Sequence, residues 1–429
     1  MRSIPTGARL FAAALLVYIV CPPFLSYDSY YTVPAALGLL HHGSLAVDDY
    51  VAGAPAAADY ALVCVRPGGE LRGVRDCGGP RYNYFSPGVS VLAAPVVAVI
   101  QGVTRMVAAV HPAPVSTRPE IAAFFAGDLV GGRPLTELAC ASVFGALAVW
   151  LQFAIARRFL TVRESVAYAL LFAFGTSEWS IASRNLTQHG LTILLLSAAI
   201  YCAVRAFEQP RWIAWSAVPL ALAVTVRPSN AIAAGVFTVY VLVRYRREFW
   251  RFAACAAPVA TVFFAHNIIA LHDLLPAYYR VNSPDPYPPL AGLAMNLFSP
   301  ARGIFMFTPV FLFALAGLRG RWLFLGAILA LHTVLISRYW GGHSYGPRYF
   351  SDMTPIFCFL LIPAYLSWKK QRRRSTAAAF AILALWGVFV HAHGATSIAA
   401  NQWSALPVNV DDAKWRVWDW HDPQFFRGL

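Results

Sequence analysis

Residues Tyr27 to Tyr50 read YDSYYTVPAALGLLHHGSLAVDDY. An apolar run of helix length, Ala8 to Leu25, precedes them and is closed by Pro22 and Pro23. Proline has no N–H to donate and ends a helix, so Asp28, the first acid of the chain, stands at the mouth of a membrane span. A carboxylate at a bilayer rim is costly to keep charged unless something pairs with it or uses it. Behind it come an apolar-faced segment (Pro34, Ala36, Leu37, Leu39, Leu40), a turn at Gly43 and a second acidic pair, Asp48 and Asp49.

Composition fixes the class. The chain has 429 residues, 58% of them hydrophobic and only 13% charged. Long apolar runs recur along it, which is the pattern of an all-α polytopic membrane protein. The net charge of +14 does not point to nucleic acid, because the basic residues cluster at the ends of apolar runs, as membrane topology requires. The first run lacks a small-residue cleavage site and is expected to be retained as a span. Of seven cysteines, Cys21, Cys140, Cys202, Cys255 and Cys358 lie in apolar runs, where a buried thiol is inert. Cys64 and Cys77 flank a hairpin-like stretch rich in glycine and charge, where either free thiols or a disulfide fits; an oxidising surrounding would favour the bond.

Further apolar runs lie near 87–109, 135–156, 164–180, 188–206, 212–226, 229–243, 252–271, 303–318, 322–337, 351–368 and 375–394. If all of them crossed the membrane, Arg157, Arg158 and the cluster Lys369 to Arg374 would face outside, against the positive-inside bias. The run at 87–109 is the one to withdraw. It opens on Ser86-Pro87-Gly88, holds Pro95, and carries Gln101 and Arg105, which suits an in-plane interfacial helix. The remainder gives about eleven transmembrane helices with the N-terminus inside and the C-terminus outside. Residues 1–394 then form one membrane domain. Within it, 26–134 is a large first external loop. The two short runs meeting at Arg227-Pro228-Ser229-Asn230 form a tight external hairpin. Residues 395–429 are an external tail whose Trp403, Trp415, Trp418 and Trp420 suit the membrane interface.

The short external loops carry arginines on the side where the topology rule disfavours them. SEWSIASRNLTQHG (177–190) holds Arg184 and His189, VRPSN holds Arg227, NLFSPARGIFMFTP (296–309) holds Ser299 and Arg302, and SRYWGGHSYGPRYFSD (337–352) holds His343, Tyr345, Arg348 and Asp352. Any one arginine could pair with an external acid or a lipid headgroup. Several on one face can hold a phosphate, which a guanidinium fork matches. Aromatic neighbours suit a sugar ring. Asp352 is expected to orient Arg348, and Glu178 to pair with Arg184. His41 and His42 read as surface groups.

Taken in order and by membrane side, six strings resemble those of the GT-C glycosyltransferases, in particular the bacterial group related to protein O-mannosyltransferases and the lipid A aminoarabinose transferase. They are YDS…PAALGLLHHGSL, NYFSPGVSVLAAP, ASRNLTQHG, VRPSN, LFSPARGIFMFTP and GGHSYGPRYFSDMTP. The resemblance implies a polyprenyl-phosphate sugar donor, in-plane helices in the first loop, and a catalytic acid just after the first helix, the position of Asp28. Many members carry a second acid beside the first; here Ser29 follows Asp28. The expected chemistry is transfer of a sugar, with inversion, to a hydroxyl of a glycan, lipid or protein at the outer face of a bacterial inner membrane. Asp28 is the expected base. Arg302 and Arg348 are the expected leading phosphate ligands, seconded by Arg184 and Arg227. His189, His343, Tyr345, Ser299, Asp48 and Asp49 are expected on the substrate. No cofactor is implied, and a divalent metal finds no clear ligand set. A transporter or flippase, or a glycan ligase, would share the polytopic, arginine-rich face; a transporter would more often show internal repeats, which this chain lacks.

Overall fold

A computed structural model describes residues 5–73, 77–111, 113–281, 287–371 and 374–429; Arg372 and Arg373 of the basic cluster lie outside the described residues. The first helix, α1 (Thr6–Val20), stops where the sequence reaches Pro22 and Pro23. The first loop then folds into α2 (Thr32–His42), a small sheet, α3 (Gly88–Val110) and α4 (Pro119–Phe125). The sheet is antiparallel, ordered β2 (Leu71–Arg72), β1 (Leu62–Val65), β3 (Arg81–Asn83). A Cys64–Cys77 disulfide closes it, with the two Cα atoms 6.0 Å apart, within ordinary bridge geometry. Gly43, at φ +68°, caps α2 in the left-handed conformation that glycine adopts without strain.

The bundle follows: α5 (Arg133–Ala156), α6 (Val162–Phe174), α7 (Gln188–Arg205), α8 (Trp212–Trp215), α9 (Ala217–Val226), α10 (Ala231–Arg244), α11 (Phe249–Leu271), α12 (Tyr278–Val281), α13 (Pro289–Phe298), α14 (Ile304–Phe307), α15 (Leu323–Ile336), α16 (Thr354–Gln371), α17 (Arg374–Thr396) and α18 (Ile398–Gln402). Each of the eleven apolar runs assigned as a span corresponds to helix here, although the run at 303–318 is a short α14 continued as a 3-10 helix, Pro309–Gly317. Among the described residues, six helices are long and apolar enough to cross a membrane and others are shorter. The chain is thus an all-helical polytopic membrane protein with a small sheet in its first loop. Large apolar side chains left exposed on α10, α11 and α17, such as Val243, Ile269 and Leu385, are the surface a bilayer would cover.

One core joins α1, α5, α6, α7, α9, α10, α15 and α16. A second ties the first loop to the bundle, with Val33, Leu37, Val89, Ala93 and Val97 against Phe144, Leu191 and Val226. Only one stripe of α3 (Val89, Ala93, Ala94, Val97, Thr104) is buried, the mark of a helix lying on a surface, while its length and composition would also permit a crossing. At the far end of the bundle, Thr161 and Glu164 form a capping box that starts α6, and Lys369 pairs with Glu164 at 2.6 Å.

The tail departs from a simple interfacial segment. Trp403 is wholly buried, and Arg416 stacks on it at 4.4 Å while donating to the carbonyls of Trp403, Leu406 and Val408. Trp415 and Trp420 do remain exposed. An indole with a carbonyl-satisfied arginine against it gives the tail a small packed core of its own, which a count of tryptophans does not reveal.

Candidate active site

Asp28 sits in a 3-10 turn, Tyr27–Ser29, started by Ser26, whose Oγ accepts from Asp28 N at 3.2 Å. The next residue pins that turn to the bundle: Ser29 Oγ lies 2.6 Å from Glu137 Oε2. Glu137, fully buried one turn into α5, also accepts from Arg133 Nη1 at 2.6 Å and from Leu186 N at 3.2 Å. One carboxylate therefore fixes the first-loop turn, α5 and the 182–187 loop against one another. Sequence reasoning missed Glu137; the available signal was an acid four residues after Arg133 at the start of an otherwise apolar run.

The Asp28 carboxylate accepts from Tyr60 Oη on one oxygen and from Arg348 Nη2 on the other. Burial pushes its pKa up to about 6, against the opposing pull of the Arg227 and His343 charges. Tyr60 comes from the 3-10 segment Ala56–Ala61 and Arg348 from a 3-10 turn, Arg348–Met353, that leads into α16.

Arg348 is the first member of a relay. Its Nε donates to His189 Nε2 at 3.2 Å, and its Nη1 donates to the His343 carbonyl at 3.3 Å. His189 Nδ1 lies 2.8 Å from Asp352 Oδ1, and Asp352 Oδ2 takes Arg227 Nη1 at 2.5 Å. Asp352 thus holds His189 and Arg227 and reaches Arg348 by hydrogen bonds through the ring, with no direct bond to it among the described residues, a correction to its expected direct role. Burial works to lower the pKa of Arg227, but the charge of Asp352 together with Tyr279, Tyr349 and Tyr278 holds that guanidinium above its ordinary value.

These groups open on one cavity of about 1090 Å³. Asp28, Arg184, Arg227, His189, His343, Tyr345 and Arg348 all line it, with Tyr60, Phe85, Tyr278 and Tyr349 as aromatic walls. The tail supplies Asn401, Gln402, Ser404 and Asp411 to the opposite wall. Within the cavity the polar groups differ in what they have left to offer. Arg184 donates through Nη2 to the Tyr18 carbonyl at 2.7 Å, while its Nη1 has no hydrogen-bond partner. It makes no ion pair with Glu178, whose two buried oxygens are themselves unpartnered, so the expected pairing is not formed. His343 turns its ring to the tail, at 3.0 Å from Asn409 and 3.1 Å from Asp411. Tyr345 is buried and donates to the Val390 carbonyl at 2.7 Å, so its hydroxyl is already spent.

Four expected contacts lie elsewhere. Arg302 is buried outside the cavity lining and is consumed by four neutral acceptors: Ala301 O, Gln424 Oε1, Gly342 O and Ser404 Oγ. It braces the tail and lies over Trp403 at 5.5 Å. Gly341 makes this possible: at φ +101°, a Cβ there would come 2.7 Å from the Arg302 side chain. Ser299 Oγ accepts from Arg302 N at 2.9 Å, closing the turn that aims that arginine. Asp48 holds β3 through Arg81, at 3.0 Å, and Asp49 lies exposed 3.5 Å from His42. None of the four lines the cavity.

Comparison with known proteins adds to this geometry. The family model described as dolichyl-phosphate-mannose-protein mannosyltransferase matches residues 123–269, from the end of the first loop through most of α11. Among solved structures, ArnT from Cupriavidus metallidurans in the apo state is similar at a TM-score of 0.50 and 14% identity, over 90% of this chain and 69% of that one. No curated protein sequence matches. At that identity the likeness speaks to the fold.

Proposed function

We propose that this chain, a membrane protein with the GT-C glycosyltransferase fold, moves a sugar from a polyprenyl-phosphate donor to an acceptor hydroxyl, with inversion, at the outer face of a bacterial inner membrane. The observation that carries the proposal is the meeting of Asp28 with arginines across one large cavity at the end of the bundle where the loops gather. An acceptor hydroxyl must lose a proton as it attacks the anomeric carbon, and a carboxylate with a pKa of about 6 is matched to that task near neutral pH. The leaving polyprenyl phosphate is a stabilised anion. It needs fixed positive charge in a partly dehydrated place, and Arg348 and Arg227, which line the cavity together with Arg184, offer it. A single base that acts on the acceptor hydroxyl favours direct displacement and therefore inversion. The steps assigned to the chain's own residues are binding, orientation and proton removal, and none is routed through a cofactor.

The outer-face assignment rests on three supports. Basic residues gather at the Glu164–Lys369 end of the bundle, away from the cavity. The Cys64–Cys77 bond suits an oxidising compartment. The single buried stripe of α3 suits an in-plane helix on the cavity side. The acceptor is a glycan, a lipid or a protein side chain, bound from the side of Asn401, Gln402 and Asp411.

The test is incubation of the purified protein with a panel of polyprenyl-phosphate sugars and envelope-derived acceptors, followed by lipid analysis. Consumption of one donor with release of polyprenyl monophosphate, and an inverted product anomer, is expected. Release of a diphosphate, or no consumption of any donor, contradicts the proposal.

A further inference from the structure

We infer that His189 does not bind substrate but is the positioning residue that holds Arg348 by one edge, leaving its other edge to alternate between Asp28 and an incoming phosphate. Both ring nitrogens of His189 are committed to the protein. Asp352, a carboxylate, can only accept, so Nδ1 at 2.8 Å carries the proton. Nε2 is then a bare lone pair, and it accepts from Arg348 Nε at 3.2 Å. The ring is therefore neutral and in one tautomer, fixed by a carboxylate behind it. Two guanidinium groups flank it, Arg348 on one nitrogen and Arg227 at 3.4 Å from the other.

Arg348 reads differently once its edges are assigned. Nε is held by His189, Nη1 by the His343 carbonyl at 3.3 Å, and only Nη2 reaches a charged partner that lines the cavity, Asp28. A guanidinium bound by neutral acceptors at its inner edge is aimed but not neutralised. Its outer edge can leave a carboxylate for a phosphate oxygen without the side chain losing its place. In the empty site that edge rests on Asp28 and keeps the base paired. When phosphate draws it away, Asp28 loses a charge partner and its proton affinity rises, so that proton uptake accompanies donor binding. The hold on Arg348 stands on geometry alone; the exchange with phosphate rests on the donor reading above.

The experiment separates the two. Carbodiimide couples to protonated carboxyl groups, so the labelling rate of Asp28, followed by mass spectrometry of its peptide at about pH 8, reports whether Arg348 is in place. Removing an adjacent arginine raises a carboxyl pKa by at least a unit, so labelling should quicken by about tenfold in Arg348→Ala. His189→Asn keeps a donor for Asp352 but places nothing at Nε2, and should quicken labelling likewise. His189→Gln restores an acceptor near Nε2 and should label at the wild-type rate. The double variant His189→Asn, Arg348→Ala should match the single arginine variant. A purely structural histidine would show the reverse order, with Asn the milder change. Wild-type rates in His189→Asn, or in Arg348→Ala, overturn the inference. Should His189→Asn fail to give monodisperse protein, Asp352→Ala serves instead: it removes the acceptor that fixes the tautomer, and an unchanged labelling rate there is equally fatal.

Binding of polyprenyl phosphate is then followed by calorimetry in two buffers of different ionisation enthalpy. Wild type should take up more protons on binding than Asp28→Asn does. Equal uptake in both overturns the exchange, whereas absence of binding to wild type sinks the donor reading and leaves the labelling result standing.

Discussion

On Asp28, burial and charge pull in opposite directions. Desolvation lifts the carboxyl to about 6, and the cations around it work the other way. A base acts only when unprotonated, so the rate of sugar transfer should fall as pH drops through about 6 and level off above it. A pH–rate profile of kcat/KM, which reports the groups of the free enzyme, checks this, and a profile flat from pH 5 to pH 8 would contradict it. Asp28→Asn keeps the shape of the side chain and removes the base; turnover should fall roughly a hundredfold to ten-thousandfold with the protein still folded. Arg348→Ala removes one charge-assisted contact, and donor affinity should fall roughly ten- to a hundredfold, read by binding of polyprenyl phosphate. Asp28 itself was legible in the sequence, because an acid right after a proline-terminated span has few bland explanations. Arg348 and Arg302 were not distinguishable, since each is an arginine in a glycine-rich turn between apolar runs. What separates them is a tail more than a hundred residues beyond Arg302, whose Gln424 and Ser404 absorb that guanidinium and leave Arg348 to Asp28 and the cavity.

At the scale of elements, the tail and the first loop do the positioning. Arg302 joins Gly342, Ser404 and Gln424, so it couples the turn before α14, the glycine loop and the tail. Arg302→Ala should therefore act first on stability, with each lost contact to the charged donor worth about 1.5–3 kcal/mol before relaxation. Limited proteolysis should cut the 397–429 segment sooner and the thermal midpoint should drop. Loss of donor affinity with unchanged proteolysis and midpoint would return Arg302 to the binding site. The Cys64–Cys77 bridge spans 13 residues, and a loop of that order contributes about 3 kcal/mol when closed. Reduction, or a Cys64→Ala, Cys77→Ala pair, should lower the thermal midpoint, and an unchanged midpoint would mean that the sheet is held by packing alone. Helices were read well from the sequence because apolar runs report a local property. The sheet, the buried Trp403 and the Glu137 node were not, because each depends on contacts between distant segments.

For the whole molecule, a chain of apolar helices brings together residues that are 320 positions apart, as Asp28 and Arg348 are. No local pattern encodes such a pair; it follows from how α5, α7, α9 and α16 pack, and packing was beyond a reading of runs and loops. What the sequence did carry was charge asymmetry, and that gives a test of the orientation. A cysteine placed at His421, in the tail, should react with an impermeant maleimide in intact cells, while one at Lys370 should react only after lysis. The opposite pattern would put the cavity in the cytosol. The most direct measurement is a structure of the protein in lipid nanodiscs with polyprenyl phosphate bound. The phosphate should lie in the cavity against Arg348 and Arg227, with Arg348 Nη2 moved off Asp28 and the carboxylate open to the acceptor side. A phosphate seated outside that cavity, or one held with Asp28 remote from it, would contradict the account.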